Sequence, residues 1–349
     1  MSTHFAREIR EQPTALARLL ATGRGTVEAC AEEIRRFGPR FVVTAARGSS
    51  DNAARYGKYL FGAHNRLVVS LGAPSLLTRY QSPPSFGGAL IIGISQSGES
   101  PDIVALVDEA RRQGALTVTV TNAPDSALAR AAHQVVDLNA GPEQAVVASK
   151  SYSCELLALA MLSAAVEGRP ERWHELERIP EAVAMTLSLL SDDVIERAVA
   201  PLVDRQHLLV LGRGFNFATA FELALKMKET AHLLADPYAT PDLQHGPMAM
   251  IDASFPALVV APTGACFADA TAAAQALVAR GAQVVMLSDA APAPSSGVQA
   301  WLPIASAVPE WLSPLTAIIP GQLCALALAR ARGLDADRPR GLSKVTRTL

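Results

Sequence analysis

Apolar runs rich in β-branched residues alternate with amphipathic stretches along most of this chain, and the whole series occurs twice. The first series has strand-like runs at 40–46 ("RFVVTAA"), 66–71 ("RLVVSL"), 89–95 ("ALIIGIS") and 116–122 ("LTVTVTN"). Between them lie the helix-like "SSDNAARYGKYLFG" and a second helix from about Pro101 to Gln113. The second series has runs at 207–214 ("HLLVLGRG"), 256–262 ("PALVVAP") and 282–289 ("AQVVMLSD"), with a long helix after the first and another from about Ala268 to Ala279. Runs that are apolar at every position, rather than at alternate ones, predict strands buried on both faces, and so parallel sheets covered by helices. Phe41 and Leu208 are 167 residues apart, and Leu90 and Leu258 are 168 apart. Two strand–loop–helix units that keep one spacing predict a tandem duplication of a doubly wound α/β domain.

Of the 349 residues, 50% are hydrophobic, enough for two cores of ordinary size. A net charge of −2 offers no basic surface to nucleic acid, so the expected partner is a small molecule or a second copy of the chain. Cys30, Cys154, Cys266 and Cys324 lie far apart and form no CxxC pair, and the seven histidines show no HxxxH or HExxH spacing. Buried thiols are expected, with neither a zinc site nor another metal. The charged N-terminus lacks the apolar core of a signal peptide. The tract "LTAIIPGQLCALALARA" is interrupted by Pro320 and Gly321, which favours a buried core helix over a membrane span. The chain is therefore expected to be cytoplasmic.

The stretch "ISQSGES" (94–100) ends the third strand-like run, where open α/β sheets bind ligands. Pro101 suits the first turn of a helix, and helix N-termini carry unpaired N–H groups that attract anions. Ser95, Gln96, Ser97 and Ser100 add side-chain donors there, and "RGSSDN" places Ser49 and Ser50 beside a neighbouring helix start. Helix capping accounts for one serine per turn but not for six hydroxyl or amide donors. Two such turns predict a phosphate site of neutral donors. In the second series Ser97 falls on Ala265 and Ser100 on Ala268, so only the first half keeps the hydroxyls. The loop is not a Walker A motif, because no Gly-Lys-Ser/Thr is present. Nor is "GRGFNFA" (212–218) a complete dinucleotide fingerprint, since Phe217 stands at the third glycine position.

"RGSSDNAARYGKYLFG", "SQSGESPDIV", "GPEQAVVASK", "LGRGFNFATAFELALKMKE", "DLQHGPMAMID" and "RPRGLSKV", collinear from about residue 40 to 345, resemble the sugar-isomerase (SIS) domain pair of glucosamine-6-phosphate synthases. The resemblance implies two flavodoxin-like SIS domains and a phosphosugar ligand. The expected boundaries are an N-terminal helical segment (1–38), a phosphate-binding first domain (39–168), a helical linker (169–200), a second domain with the catalytic helix (201–334) and a tail over the active site (335–349). Synthases open with a glutaminase domain whose cysteine nucleophile starts the chain. Here Ser2 follows Met1, so the sequence resembles the stand-alone deaminases and deglycases of the family.

An aminoaldose becomes a ketose by ring opening, proton transfer between C1 and C2, and loss of nitrogen. On "ATAFELALKMKETAHLL", Glu222, Lys226 and Glu229 fall within about 60° of one another on a helix that is otherwise mostly apolar. Buried charges cost several kcal/mol unless paired, which favours a site over a decorated surface. Glu229 is the candidate base, and the resemblance gives its counterpart the proton-shuttling role. Lys226 would balance charge or contact substrate oxygens. His245 sits on a turn before Gly246 and Pro247, where by itself it reads as a solvated or capping residue. The resemblance makes it the ring-opening group, reaching a neighbouring subunit, and so implies a homodimer. Lys344, by itself a solvated charge in a basic tail, is implied to meet the sugar carbonyl, where a Schiff base can form. Gly48, Glu143, Val146, Val147, Ser149 and Glu222 are implied to line the sugar.

The expected activity is conversion of glucosamine 6-phosphate to fructose 6-phosphate and ammonia, with no cofactor, because the substrate supplies its own carbonyl. Galactosamine 6-phosphate or a fructosamine 6-phosphate are alternative substrates, and ammonia-dependent synthesis is the alternative direction. A phosphosugar sensor is the non-enzymatic alternative, though no helix-turn-helix precedes residue 40 and a sensor has no use for the glutamate–lysine stripe.

Overall fold

A computed structural model describes residues 3–306 and 308–344, so Ser2 and the last five residues of the expected tail lie outside the described residues. The chain divides into two compact units. The first comprises Thr14–Glu143, Lys150–Arg178 and the chain from Leu342, and the second Met1–Pro13, Gln144–Ser149 and Ile179–Gly341. Helix α1 (His4–Arg10) falls in the second unit and α2 (Gln12–Phe37) largely in the first.

The first unit is built on a five-stranded parallel sheet, β1 (Phe41–Ala45), β2 (Val68–Leu71), β3 (Ala89–Ser95), β4 (Leu116–Thr121) and β5 (Gln134–Asp137), in the order β2-β1-β3-β4-β5. Every residue of β3 and β4 is buried, which explains their unbroken apolar runs. Helices α3 (Gly48–Asn65), α4 (Ser75–Thr78), α5 (Pro101–Arg112), α6 (Ala127–Ala131), α7 (Lys150–Glu167) and α8 (Pro170–Glu177) complete the unit. In α7, residues 150–165 are all buried, as expected of a helix apolar on every side.

The second unit repeats the plan with β6 (His207–Gly212), β7 (Leu234–Ala239), β8 (Pro256–Val260), β9 (Gln283–Ser288) and β10 (Ala300–Pro303), in the order β10-β9-β8-β6-β7. Its helices are α9 (Ile179–Leu189), α10 (Asp192–Val199), α11 (Phe217–Ala231), α12 (Thr240–Gln244), α13 (Phe267–Ala279) and α14 (Pro314–Ala331). The duplication extends to register: Phe41 pairs with Ala89 and Leu209 with Ala257, a separation of 48 residues in both sheets.

Strands β5, β7 and β10 are absent from the sequence expectation, and all three are sheet edges. Edge strands are short and need only one paired side; β5 and β10 have four residues each, and β7 carries Asp236 and Pro237. The tract expected to be interrupted at Pro320 and Gly321 is one continuous helix, α14. It is long and apolar enough to cross a membrane by composition, yet 83% of it is buried within the fold. Gly321 explains its placement: a Cβ there would overlap Leu223 of α11, so glycine lets the two helices close together.

Gly321→Ala should therefore destabilise the protein by about 1–3 kcal/mol through overpacking. Gly57→Ala in α3, whose added Cβ would meet Leu159 at an ordinary 3.5 Å, should be neutral or stabilising by up to about 1 kcal/mol. Urea unfolding of the two variants checks both.

Candidate active site

In the first unit the strand order makes β1 and β3 neighbours, with Ala45 paired to Gly93, while their crossover connections lead away in opposite directions. Such a switch point opens a crevice at the carboxyl ends of the strands. The turn after β1 runs through Gly48 (φ 56°) into α3, and the turn after β3 runs through Gly98 (φ 65°) to α5. A side chain at Gly98 would overlap Ser126, so the serine-rich turn depends on that glycine.

The expected phosphate donors are not equivalent. Ser95 Oγ accepts from the Gly98 N–H at 3.1 Å, and Ser97 Oγ from the Glu99 N–H at 3.4 Å. These bonds use lone pairs and leave the hydroxyl protons to donate elsewhere. Ser100 is the N-cap of α5 but makes no side-chain capping bond, so capping does not account for it. Gln96, Ser97, Ser100 and Ser49 are half-buried. Ser50 departs from the expectation of outward donors: it is buried, and its Oγ donates to Glu155 Oε1 of α7 at 2.7 Å. Glu155 is itself buried and needs a donor, so it takes the one proton Ser50 has.

Sequence reasoning missed Arg47, one residue before the first turn. Its guanidinium contacts Asp102 Oδ2 through Nη2 at 2.7 Å and Nε at 2.8 Å. Asp102 lies in the first turn of α5 and is only 2% exposed in its side chain, whereas Arg47 is half exposed. The pair ties the two turns together. The usable signal was the Arg-Gly dipeptide that recurs as Arg213-Gly214 at the matching strand end of the second half.

Glu143, expected to line the sugar, has its carboxylate engaged within the first unit. Its side chain is fully buried and accepts from Ser151 N at 3.0 Å, from Ser151 Oγ at 2.7 Å and from Lys344 Nζ at 2.8 Å. Burial alone would raise its pKa; the Lys344 charge and the bonds from Lys344 and Ser151 outweigh that and hold it below the ordinary 4.5. Both ends of this pair were expected at the site, but nothing in the spacing of residues 143 and 344 pairs them.

In the second unit, residues 144–149 include three further expected sugar contacts, Val146, Val147 and Ser149. Val147 and Ser149 are buried and Val146 is half-buried, with its N–H donating to the Asp337 carbonyl at 3.5 Å. Glu8 of α1, a buried carboxylate the sequence did not single out, accepts from the N–H groups of Gln144 and Ala145 and so anchors this loop.

Helix α11 starts from the "GRG" turn. A Cβ at Gly212 would overlap the Asn216 carbonyl and Gly214 has φ 59°, so these glycines build a tight turn. On α11, Lys226 Nζ lies 3.1 Å from Glu222 Oε1 and 2.7 Å from Glu229 Oε2. The side chains of Lys226 and Glu222 are fully buried, and that of Glu229 is 20% exposed. Burial alone would lower the Lys226 pKa, but Glu222 and then Glu229 outweigh it and hold the ammonium above the ordinary lysine value. Of the two roles expected for Lys226, this enclosed geometry fits charge balance rather than substrate contact. Thr230 Oγ1 donates to the carbonyls of Lys226 and Ala325, stitching this turn to α14. His245 is exposed just beyond α12, before Gly246 (φ 132°).

The lowered Glu143 pKa makes a signed prediction. A carboxylate depressed on folding stabilises the protein above its unfolded pKa, and that contribution is lost as pH falls through the folded value. Glu143→Gln should cost about 1–3 kcal/mol in urea unfolding at pH 7. The gap from wild type should narrow progressively as the pH is taken below 4.5.

Comparison with known proteins places this geometry in a family. The SIS domain matches residues 39–166 and 201–330. The chain is 34% identical over 358 residues to the isomerizing glutamine–fructose-6-phosphate aminotransferase of Brucella abortus, a match covering 98% of this chain and 58% of that protein. It thus spans little more than half the length of the curated relatives it matches. A solved structure of a candidate phosphosugar isomerase from Silicibacter pomeroyi matches with a TM-score of 0.85 and 34% identity, over 96% of this chain and all of that one. The C-terminal domain of glucosamine-fructose-6-phosphate aminotransferase from Francisella tularensis matches with a TM-score of 0.87 and 25% identity, over 97% of this chain and 99% of that one. With a matched domain on each of two sheets of one topology, this chain belongs to the SIS domain family and carries two copies of that domain.

Proposed function

We propose that the chain is an amino-sugar phosphate deaminase/isomerase, converting glucosamine 6-phosphate and water to fructose 6-phosphate and ammonia. The observation that carries this reading is the Glu222–Lys226–Glu229 cluster. Two carboxylates and an ammonium are set into an otherwise buried helix face, and only Glu229 reaches the surface. A binding module has no need of so costly an arrangement, whereas proton transfer needs a carboxylate held in one place.

In this mechanism the hydroxyls of Ser95, Ser97 and Ser100, with Gln96, Ser49 and the N-termini of α3 and α5, hold the phosphate dianion. His245 opens the ring to the aldehyde. Glu229 takes the C2 proton, which the adjacent carbonyl acidifies, and the enolamine is reprotonated at C1. The C2 imine that results loses ammonia, either to water directly or through exchange with the Lys344 amine, whose Schiff base water then hydrolyses. Lys226 keeps Glu229 oriented and charge-balanced. His245, exposed on its turn, serves the site of a second copy in a homodimer.

Synthesis of glucosamine 6-phosphate from fructose 6-phosphate and ammonia is the second reading, favoured by the 34% identity to an aminotransferase. It uses the same residues, because a catalyst lowers both barriers.

Ammonia release from glucosamine 6-phosphate should exceed that from galactosamine 6-phosphate, and Glu229→Gln should still bind the phosphosugar while turning over at least about a hundredfold more slowly. Unchanged turnover in that variant removes Glu229 from the mechanism. Mixing the inactive Glu229→Gln and His245→Ala chains should restore about a quarter of wild-type activity, since half the dimers formed hold one complete site. No recovery with intact dimers would place His245 in its own chain's site.

A further inference from the structure

The second unit contains its own version of the serine-rich crevice, and it is occupied from within. Arg213 follows β6 with φ −143° and ψ 155°, close to the −138° and 154° of Arg47. Each arginine precedes a left-handed glycine, Gly214 or Gly48. Arg213 Nη1 binds Asp269 Oδ2 at 2.6 Å in the first turn of α13, repeating the Arg47–Asp102 tie. The turn after β8, residues 261–266, therefore stands where the phosphate turn stands in the first unit. Both oxygens of Glu310 reach its backbone: Oε2 accepts from Ala265 N at 2.6 Å and Oε1 from Cys266 N at 3.2 Å. Asp289 accepts from Thr263 N at 2.7 Å and from Thr263 Oγ1 at 2.5 Å. A side chain at Gly264 (φ 149°) would collide with the Glu310 carboxylate, so the turn is shaped around it.

Glu310 follows Pro309 beyond β10, as Glu143 follows Pro142 beyond β5, and the two glutamates are 167 residues apart, the repeat spacing itself. The same position of the repeat thus has two destinations. In the first unit its carboxylate goes to Ser151 and Lys344, and in the second it goes into the turn.

We infer that Glu310 is a built-in anion that closes the second crossover turn, so that of the two similar turns in this chain only the first takes a phosphate ester. Both Glu310 contacts are charge-assisted and the carboxylate is tethered, so it competes at an effective concentration of about millimolar or more. Free phosphate gains nothing there until the carboxylate is removed.

Cys266 provides a readout inside the turn. It is the one half-exposed cysteine, Cys30, Cys154 and Cys324 being buried, and its Sγ packs 3.0 Å from where a Cβ on Gly214 would stand. Native-state alkylation by iodoacetamide therefore reports on this turn. In wild type, inorganic phosphate should leave the Cys266 rate unchanged relative to chloride at equal ionic strength. In Glu310→Ala, phosphate should slow it about threefold once present at about twice its dissociation constant. Glu310→Gln, which keeps the shape and loses the charge, should show weaker protection and provides the test if the alanine variant does not fold. Protection of the wild type, or none in a folded variant, overturns the inference. Turnover of an amino sugar is not read, so the deaminase assignment can fail while this result stands. The inference shares with that assignment only the phosphate site of the first turn.

Discussion

A parallel sheet whose first and third strands are neighbours must send the crossovers that follow them in opposite directions, and the rest of this protein depends on that constraint. It brings two loop-to-helix junctions together at one end of the sheet, with unpaired N–H groups at each. No residue of the junctions creates this placement. It follows from five strands in the order β2-β1-β3-β4-β5, and the second sheet repeats it with the same register of 48 residues. What each half does with its crevice is then a matter of side chains.

The two halves show how little is needed to change that use. Both keep an arginine–aspartate tie across the crevice and a left-handed glycine beside it. The first adds hydroxyls on short side chains, neutral donors that can approach an anion without already carrying one. The second has Ala265 and Ala268 where Ser97 and Ser100 fall, and brings in the glutamate. Buried carboxylates elsewhere follow the same rule of compensation. Glu8 takes two backbone N–H groups, Glu155 takes the Ser50 proton, and Glu143 takes a serine and a lysine. Each is given donors locally because a buried carboxylate without them would cost several kcal/mol.

The cluster on α11 differs because its compensation is incomplete at one end. Lys226 sits between two carboxyl groups, and Glu229 is the member with an exposed edge. Behind that edge the helix is packed closely on α14. Gly321 admits Leu223 from α11 into α14, and Thr230 bonds across to Ala325. Under the proposed mechanism this packing would hold Glu229 in place, and small displacements of a base are costly to rate.

The periodic features of this protein were legible in its sequence. Buried central strands must be apolar throughout, so β1, β3, β4, β6, β8 and β9 announced themselves, and the repeat spacing exposed the duplication. The stripe on α11 was legible because helical geometry is local: residues four and three apart share a face in any helix. Edge strands β5 and β10 were not, being only four residues long, nor was β7, whose Asp236 and Pro237 break the apolar pattern. Nor was it legible that Ser50 turns inward, that Arg47 meets Asp102, that Glu143 meets Lys344, or that Glu310 closes the second turn. Those contacts join residues 44 to 201 positions apart. The sequence by itself determined which residues could carry charge, hydroxyl or apolar surface and how often they recur. Only the tertiary structure decided which charges neutralise one another, because that depends on distances set by how separate elements pack.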